Sequence, residues 1–319
     1  MLRASVIVPA RNARLTLPRT LAALAAQEFE AGAYEVIVVD DGSTDDTAAL
    51  ARSAPGPVTV VAQPPRGPAA ARNLGVEASA GSTLAFCDAD VFPTPGWLTA
   101  GVAALEDADL VQGRVLPDPE ARRGPFDRTI WITSQVGLWE TANLFATRDL
   151  FDRVGGFEEW LRPRSGKALA EDVWFGHQAL RTGARPGFCG EALAYHAVFP
   201  RSWRAFVGER RRLEYFPAMV RKMPELRHEL LTHGVFLTDR TAAFDLALTA
   251  ATTAAWRARA WPLLGTGPYL VALATNARWR VAGRSRGQVA AVALADVAAD
   301  AVGLLALLVG SARYRSAIL

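Results

Sequence analysis

Cysteine is nearly absent from this chain: Cys87 and Cys189 are the two in 319 residues. Their spacing fits no metal site, and they cannot staple a disulfide-rich scaffold, so a reducing cytosolic compartment is expected. Cys87, inside the apolar run Thr83–Cys87, reads as a small core residue. The N-terminus lacks the long apolar core and cleavage-like site of a signal peptide and reads as a strand; residues 1–240 are expected to stay in the cytoplasm. Net charge is also scarce, +3 overall, although the isoelectric point is about 9.1. The imbalance is local: from Arg201 to Lys222 there are seven basic residues and two acidic ones. Such a run suits phosphates, an anionic membrane or a solvated helix face. No nucleic-acid reader motif or aromatic platform accompanies it, so nucleic acid is not an expected partner.

What is present is acidic residues at strand ends. Asp88-Ala89-Asp90 follows the run Thr83–Cys87, Asp40-Asp41 follows Val36–Val39, and Glu171-Asp172 precedes a helix-like stretch. The chain is long enough for one large domain or two. Apolar runs at 5–9, 35–39, 58–61 and 83–87 predict strands, and 17–27, 45–52 and 69–78 predict helices between them. Strands alternating with helices at this pace predict a Rossmann-like, mostly parallel sheet with helices on both faces. Ligands of such sheets lie beyond the carboxyl ends of the strands, where the loops after Val8, Val39 and Cys87 meet.

The next stretch is less regular. The pattern predicts helices over 96–105, 145–154 and 172–182, a strand over 110–115 and a charged loop over 117–124. Gly183 suits a helix C-cap. From Thr241 the composition changes. Leu246–Trp256 and Trp261–Ala277 carry no charge, and Gln288–Gly310 carries only Asp296 and Asp300. The joints carry Arg257, Arg259, Arg278, Arg280, Arg284 and Arg286. Trp261–Ala277 is short for a span and holds two prolines and two glycines. Asp296 and Asp300, four apart, share one helix face, which suits an in-plane or protein-packed helix better than a lipid-exposed span. The expected organisation is therefore a domain over 1–240, divided into 1–100 and 101–240, with a helical, membrane-associated tail over 241–319.

The first hundred residues resemble the family 2 inverting glycosyltransferases, which have a GT-A fold. The resemblance rests on Ser5–Asn12, Val38–Thr47, Gly67–Gly75 and Phe86–Asp90, and continues through Thr141–Phe145, Val154–Phe157 and Glu171–Val173. It implies that Pro9 and Arg11 flank the nucleotide and that Asp41 accepts a hydrogen bond from its base. Arg72 and Asn73 would lie in the helix that closes over the nucleotide. Asp88 and Asp90 would hold ribose and a divalent metal, Mn²⁺ or Mg²⁺. Asp172 would be the general base with Glu171 beside it, and His196 a third metal ligand, as in some relatives. Taken singly, each acidic pair is also explained as a turn, a loop or a helix-start charge, and His196 as a structural histidine. Their shared placement is what those explanations omit. The chemistry agrees: a nucleoside diphosphate leaving group calls for a hard cation, and a hydroxyl acceptor for a carboxylate base.

The Gln-x-x-Arg-Trp motif of processive polysaccharide synthases is absent; the comparable region reads Glu209–Tyr215. Transfer of one sugar from a nucleotide sugar, UDP-linked by preference, to a lipid-linked or saccharide acceptor at the cytoplasmic face of the cell membrane is the resulting expectation. A polyprenyl-phosphate sugar synthase and a non-catalytic nucleotide-sugar-binding protein are the alternatives.

Overall fold

The computed structural model describes residues 2–161, 163, 169–281 and 286–319; Arg284 lies outside them. The chain forms two compact units, Met1–Ala121 with Thr129–Val198, and Arg122–Arg128 with Phe199–Leu319.

In the first unit β1 (Ala4–Ala10), β2 (Tyr34–Asp41), β3 (Val58–Gln63) and β4 (Thr83–Cys87) lie parallel in the order β3-β2-β1-β4. These strands are apolar runs because β1, β2 and β4 are buried on both faces. Val6, Val8, Val36, Val38 and Ala85 pack with Leu17, Leu21 and Leu24 of α1 (Leu17–Ala25). The intervening Ile7, Ile37, Val39, Leu84 and Phe86 pack on the other face, with Ala69, Ala71 and Val76 of α3 (Pro68–Glu77). The short α2 (Thr47–Arg52) joins β2 to β3. Gly75 lets α3 sit close: a Cβ there would meet Ile7 Cγ2 at 2.5 Å. Parallel register pairs Pro9 with Val39 and Ile7 with Phe86, so the carboxyl ends of β1, β2 and β4 form one edge.

The sheet continues β7-β6-β8-β5, through β5 (Val91–Pro93), β6 (Leu110–Pro117), β7 (Asn143–Thr147) and β8 (Pro186–His196). β7 runs antiparallel to both β4 and β6, and β5 antiparallel to β8, while β6 and β8 are parallel. The expected helix over 145–154 is thus corrected: the first residues form β7, and only α5 (Arg148–Val154) is helical. Phe145 faces one core layer, Leu144 and Ala146 the other, and the Thr147 side chain accepts from Leu150 N to start the helix. The remaining helices of this unit are α4 (Trp97–Ala104) and α6 (Glu171–Arg181).

The second unit is helical: α7 (Trp203–Glu209), a 3-10 turn at Arg210–Tyr215, α8 (Phe216–Lys222), α9 (Leu226–Glu229), α10 (Asp239–Arg257), a 3-10 turn at Trp261–Thr266, α11 (Gly267–Arg280) and α12 (Arg286–Tyr314). Its boundary falls at 198/199, so residues 199–240 pack with the tail. Gly310 of α12 approaches the 3-10 turn so closely that a Cβ there would meet Glu214 O at 2.2 Å. Asp296 and Asp300 do share a face, and it is turned into this unit. Asp296 is fully buried, 2.5 Å from Arg280 Nη1, and accepts from Asn276 Nδ2 at 2.8 Å. Asp300 accepts from Arg240 and from the Tyr269 hydroxyl, each at 2.7 Å. Among the described residues α12 is the one helix long and apolar enough to cross a bilayer. Leu294, Leu305 and Val309 of α12 are exposed, as are Trp256, Trp261, Leu264, Val271 and Trp279 of the neighbouring helices.

Candidate active site

The carboxyl-end edge of the sheet gathers the acidic stations. Asp41, at the end of β2, is almost fully buried. Its Oδ1 accepts from Gln63 Nε2 and from Arg66 N, both at 2.7 Å, and its Oδ2 accepts from Gly67 N at 3.0 Å. The carboxylate thereby shapes the turn that enters α3. Gly67 sits in that turn at φ 96°, a conformation in which L side chains are strained. Asp40 accepts from Ser43 N at 3.1 Å, and Asn12, at φ 51°, takes Thr44 N on its Oδ1 at 2.8 Å. The loops after β1 and β2 are thus tied to one another. Pro9, next to last in β1, lies beside Val39, and Arg11 is exposed on the loop beyond.

Arg72 is the centre of the arrangement. It projects from α3, is buried, and bridges two acidic stations: Nη2 to Asp88 Oδ1 at 2.8 Å and Nη1 to Glu171 Oε1 at 3.3 Å. Phe157 lies beneath the guanidinium at 5.8 Å, and Asn73, the next residue, exchanges hydrogen bonds with the Phe157 backbone, both at 2.9 Å. Arg72 Nε has no hydrogen-bond partner among the described residues. Desolvation opposes the charge of Arg72, yet Asp88, Glu171 and Asp172 outweigh it and leave the guanidinium firmly protonated.

Asp172 starts α6 next to Glu171. Burial, then the charge of Glu171, raise its carboxyl to about 8, against the opposing pull of Arg72 and of the Val173 N–H it accepts. Glu140 adds to the rise, and burial also pushes its own carboxyl up. Ala170, the N-cap of α6, is held at φ 63°. A non-glycine residue in that region is strained, and such strain gathers at functional sites. The arrangement offers a carboxyl poised near neutrality beside a fixed cation, the tuning a general base requires.

Asp90, two residues after Asp88, has Oδ1 3.6 Å from His196 Nε2. His196 is buried at the end of β8, and its Nδ1 stands 2.6 Å from Ala197 O. A carbonyl can only accept, so Nδ1 donates to it and Nε2 is the ring nitrogen that faces Asp90. Two electron-rich atoms at that separation leave room for a cation near both. Asp88 and Asp90 keep about a quarter of their side-chain surface open, and carboxylate oxygens are the ligands hard cations take. Among the described residues no three His, Cys, Asp or Glu side chains form a ready-made cage. The carboxylates that could hold a hard cation here are thus Asp88, which Arg72 already meets through Oδ1, and Asp90.

The structure thus brings Arg72, Asp88, Glu171 and Asp172 into one cluster, with Asp90 and His196 paired alongside. Asp41 and Asn73 support its loops. Glu140 and Phe157 are the residues that sequence reasoning missed. Phe157 sits in a quoted segment, Val154–Phe157, but nothing in its spacing points to a ring under Arg72. Glu140 carries no spacing signal at all.

Comparison with known proteins follows the same lines. The family model described as Glycosyl transferase family 2 matches residues 5–158. Over 210 residues the chain is 30% identical to the glycosyltransferase AglE of Haloferax volcanii, covering 61% of this chain and 67% of that protein. It is 30% identical over 217 residues to the pre-mycofactocin glycosyltransferase of Mycobacterium tuberculosis, covering 60% of this chain and 42% of that one. It is 44% identical over 97 residues to the succinoglycan biosynthesis protein ExoU of Rhizobium meliloti, where the match spans 28% of the relative's length. Among solved structures, the mannosyltransferase PcManGT of Pyrobaculum calidifontis, in complex with GDP-Man and Mn²⁺, superposes with a TM-score of 0.57 at 19% identity, over 96% of this chain and 86% of that one. TarS 1-349 of S. aureus with UDP-GlcNAc superposes at 0.51 and 18% identity, over 99% and 93%. These likenesses show a shared GT-A fold.

Proposed function

The chain belongs to the family 2 glycosyltransferases, and we propose that it moves one sugar, with inversion, from a nucleoside diphosphate sugar to a hydroxyl of a lipid-linked or saccharide acceptor of the cell envelope. The observation that carries this reading is the Arg72 bridge. It joins Asp88 to Glu171, with the charge of Asp172 felt by the same guanidinium.

In this reading the nucleotide lies over the ends of β1, β2 and β4. Pro9 and Arg11 flank it, Asp41 meets the base, and Arg72 and Asn73 hold the helix that covers it. Asp41 can pair with a uracil imide, which favours a UDP-sugar donor. Asp88, Asp90 and His196 would hold a divalent cation, Mn²⁺ or Mg²⁺, which when bound offsets the charge of the diphosphate leaving group. Asp172 accepts the proton of the acceptor hydroxyl as its oxygen bonds to the anomeric carbon. The bond from that carbon to the phosphate oxygen breaks, and its electron pair leaves with the nucleoside diphosphate. Attack opposite the leaving group inverts the centre. Desolvation makes Asp172 a stronger base than an ordinary aspartate, and Arg72 keeps its ionised form accessible. A base of this kind serves a hydroxyl acceptor; a phosphate acceptor needs little deprotonation.

The helical unit supports attachment to the cytoplasmic face of the membrane. Its exposed leucines and tryptophans supply apolar surface, and the basic run Arg201–Lys222 supplies attraction to anionic lipid, worth about 1 kcal/mol per residue near the surface.

Two experiments test the reading. Release of nucleoside diphosphate is measured for UDP-, GDP- and dTDP-sugars with and without Mn²⁺. Turnover with one donor, lost without metal and lost in Asp172→Asn, is expected; metal-independent turnover would remove the cation. Flotation with anionic liposomes tests attachment. The full chain is expected to float at low salt and Trp261→Glu/Leu264→Glu to float less; a chain that stays in solution would refute the membrane role.

A further inference from the structure

Asp88 and Asp90 flank a single residue, Ala89, and the backbone carbonyls of all three are held. Val91 N donates to Asp88 O at 3.1 Å, and Ala197 N to Asp90 O at 2.9 Å. Ala89 O accepts from a side chain, the hydroxyl of Thr20 in α1, at 3.0 Å. Thr20 is fully buried. A helical threonine commonly turns its hydroxyl back onto the carbonyl four residues earlier. Here Thr16 O stands at 3.4 Å, and the one hydroxyl proton goes to the shorter contact. Arg19, the residue before, lies over the Phe92 ring at 4.1 Å and pairs with Asp118, whose N–H donates to His196 O at 2.9 Å. Adjacent residues of one helix thus brace the loop that carries Asp90 and the strand end that carries His196.

A peptide unit is planar, so holding Ala89 O fixes ψ of Ala89 and φ of Asp90 together. Those two angles set how the Asp90 side chain stands relative to Asp88. We propose that Thr20 is a positioning residue: its hydroxyl holds the peptide between the two carboxylates and so sets the spacing at which they meet a divalent cation. The role rests on the proposal above that this pair holds such a cation. Because the restraint comes from a side chain, it can be removed without breaking a backbone hydrogen bond. Its loss leaves a buried carbonyl without a donor and frees the unit to turn. Gln27, just beyond α1, supplies the comparison. Its Nε2 donates to Thr94 O at 2.9 Å and its Oε1 accepts from Leu98 N at 2.9 Å, so it braces the same stretch of chain past the carboxylates.

The test is calorimetric titration of Mn²⁺ into the full chain in the presence of UDP, repeated with GDP, with the Tm of each variant measured alongside. Thr20→Val and Thr20→Ala differ in size but share the loss of the hydroxyl. Each is expected to bind Mn²⁺ about tenfold or more weakly, the usual cost of removing a group that orients a metal ligand, whereas Thr20→Ser stays within about threefold of the wild type. Gln27→Met should lower the Tm and leave Mn²⁺ affinity unchanged. Undiminished affinity in Thr20→Val and Thr20→Ala, with affinity lost in Asp90→Asn, overturns the role of Thr20 and leaves the cation site standing. An equal loss in Thr20→Ser or in Gln27→Met also overturns it, because general loosening then explains the effect. A wild-type chain that binds no Mn²⁺ with either nucleotide refutes the cation itself, and the role of Thr20 with it.

Discussion

Arg72 donates through Nη2 to Asp88 Oδ1 at 2.8 Å, so a helix covering the strand edge is pinned to the first carboxylate beyond β4. The other terminal nitrogen of the same side chain reaches Glu171. Removing that cation leaves Asp88, Glu171 and Asp172 together without compensation. Arg72→Met is expected to cost about 3–5 kcal/mol, the usual loss when one partner of a buried ion pair is deleted. Denaturant unfolding checks it. Arg72→Lys should recover part of the loss, because one ammonium cannot span both carboxylates as the guanidinium fork does.

Asp172→Asn should retain donor affinity and lose about 10²–10⁴-fold in turnover, the range general-base catalysis contributes. Single-turnover kinetics with saturating donor separate the two effects. If Glu171→Gln is inactive and Asp172→Asn is not, the base is Glu171.

The raised carboxyl of Asp172 also makes stability depend on pH. Its ordinary value is 3.8 and its folded value about 8, so between these the native state binds more protons than the unfolded one. Stability from this group therefore falls as pH rises from about 4 to 8 and is level beyond. Asparagine has no such dependence. The Tm of Asp172→Asn should exceed that of the wild type by more at pH 8.5 than at pH 5, and turnover of the wild type should rise toward pH 8. An equal Tm difference at both pH values would mean that the carboxyl is not raised.

Asp90→Asn should abolish metal-dependent binding of nucleoside diphosphate and leave the fold intact, since about a quarter of the side chain is open and asparagine keeps its size beside His196. Calorimetry with Mn²⁺ decides it. Undiminished affinity in a folded variant would move the cation elsewhere.

Much of the first unit was legible because β1, β2 and β4 are buried on both faces and so read as unbroken apolar runs. The acidic residues stood out because they interrupt those runs at the ends. β7 was hidden: Asn143–Thr147 is also an apolar run, and it leads straight into α5 with only the Thr147 cap between them. β8 gave little signal either, since its two glycines and its register shift against Gly113/Arg114 obscure any alternation. The bridge through Arg72 was not legible, because it joins residues 16 and 99 positions apart. The sequence also showed Asp296 and Asp300 on one face of an apolar helix, but not the arginines that answer them.

Those arginines bear on how the protein is made. Asp296 is answered by Arg240 and Arg280, and Asp300 by Arg240 and Tyr269. All three partners leave the ribosome before α12 does. When the apolar helix emerges, the residues whose cations neutralise its two carboxylates have already been synthesised. A nascent helix with this sequence and no waiting partners would offer the cell's insertion machinery a long hydrophobic segment. The order of synthesis thus sets the partners ahead of the helix that needs them, and moving α12 ahead of α10 by circular permutation would reverse that order.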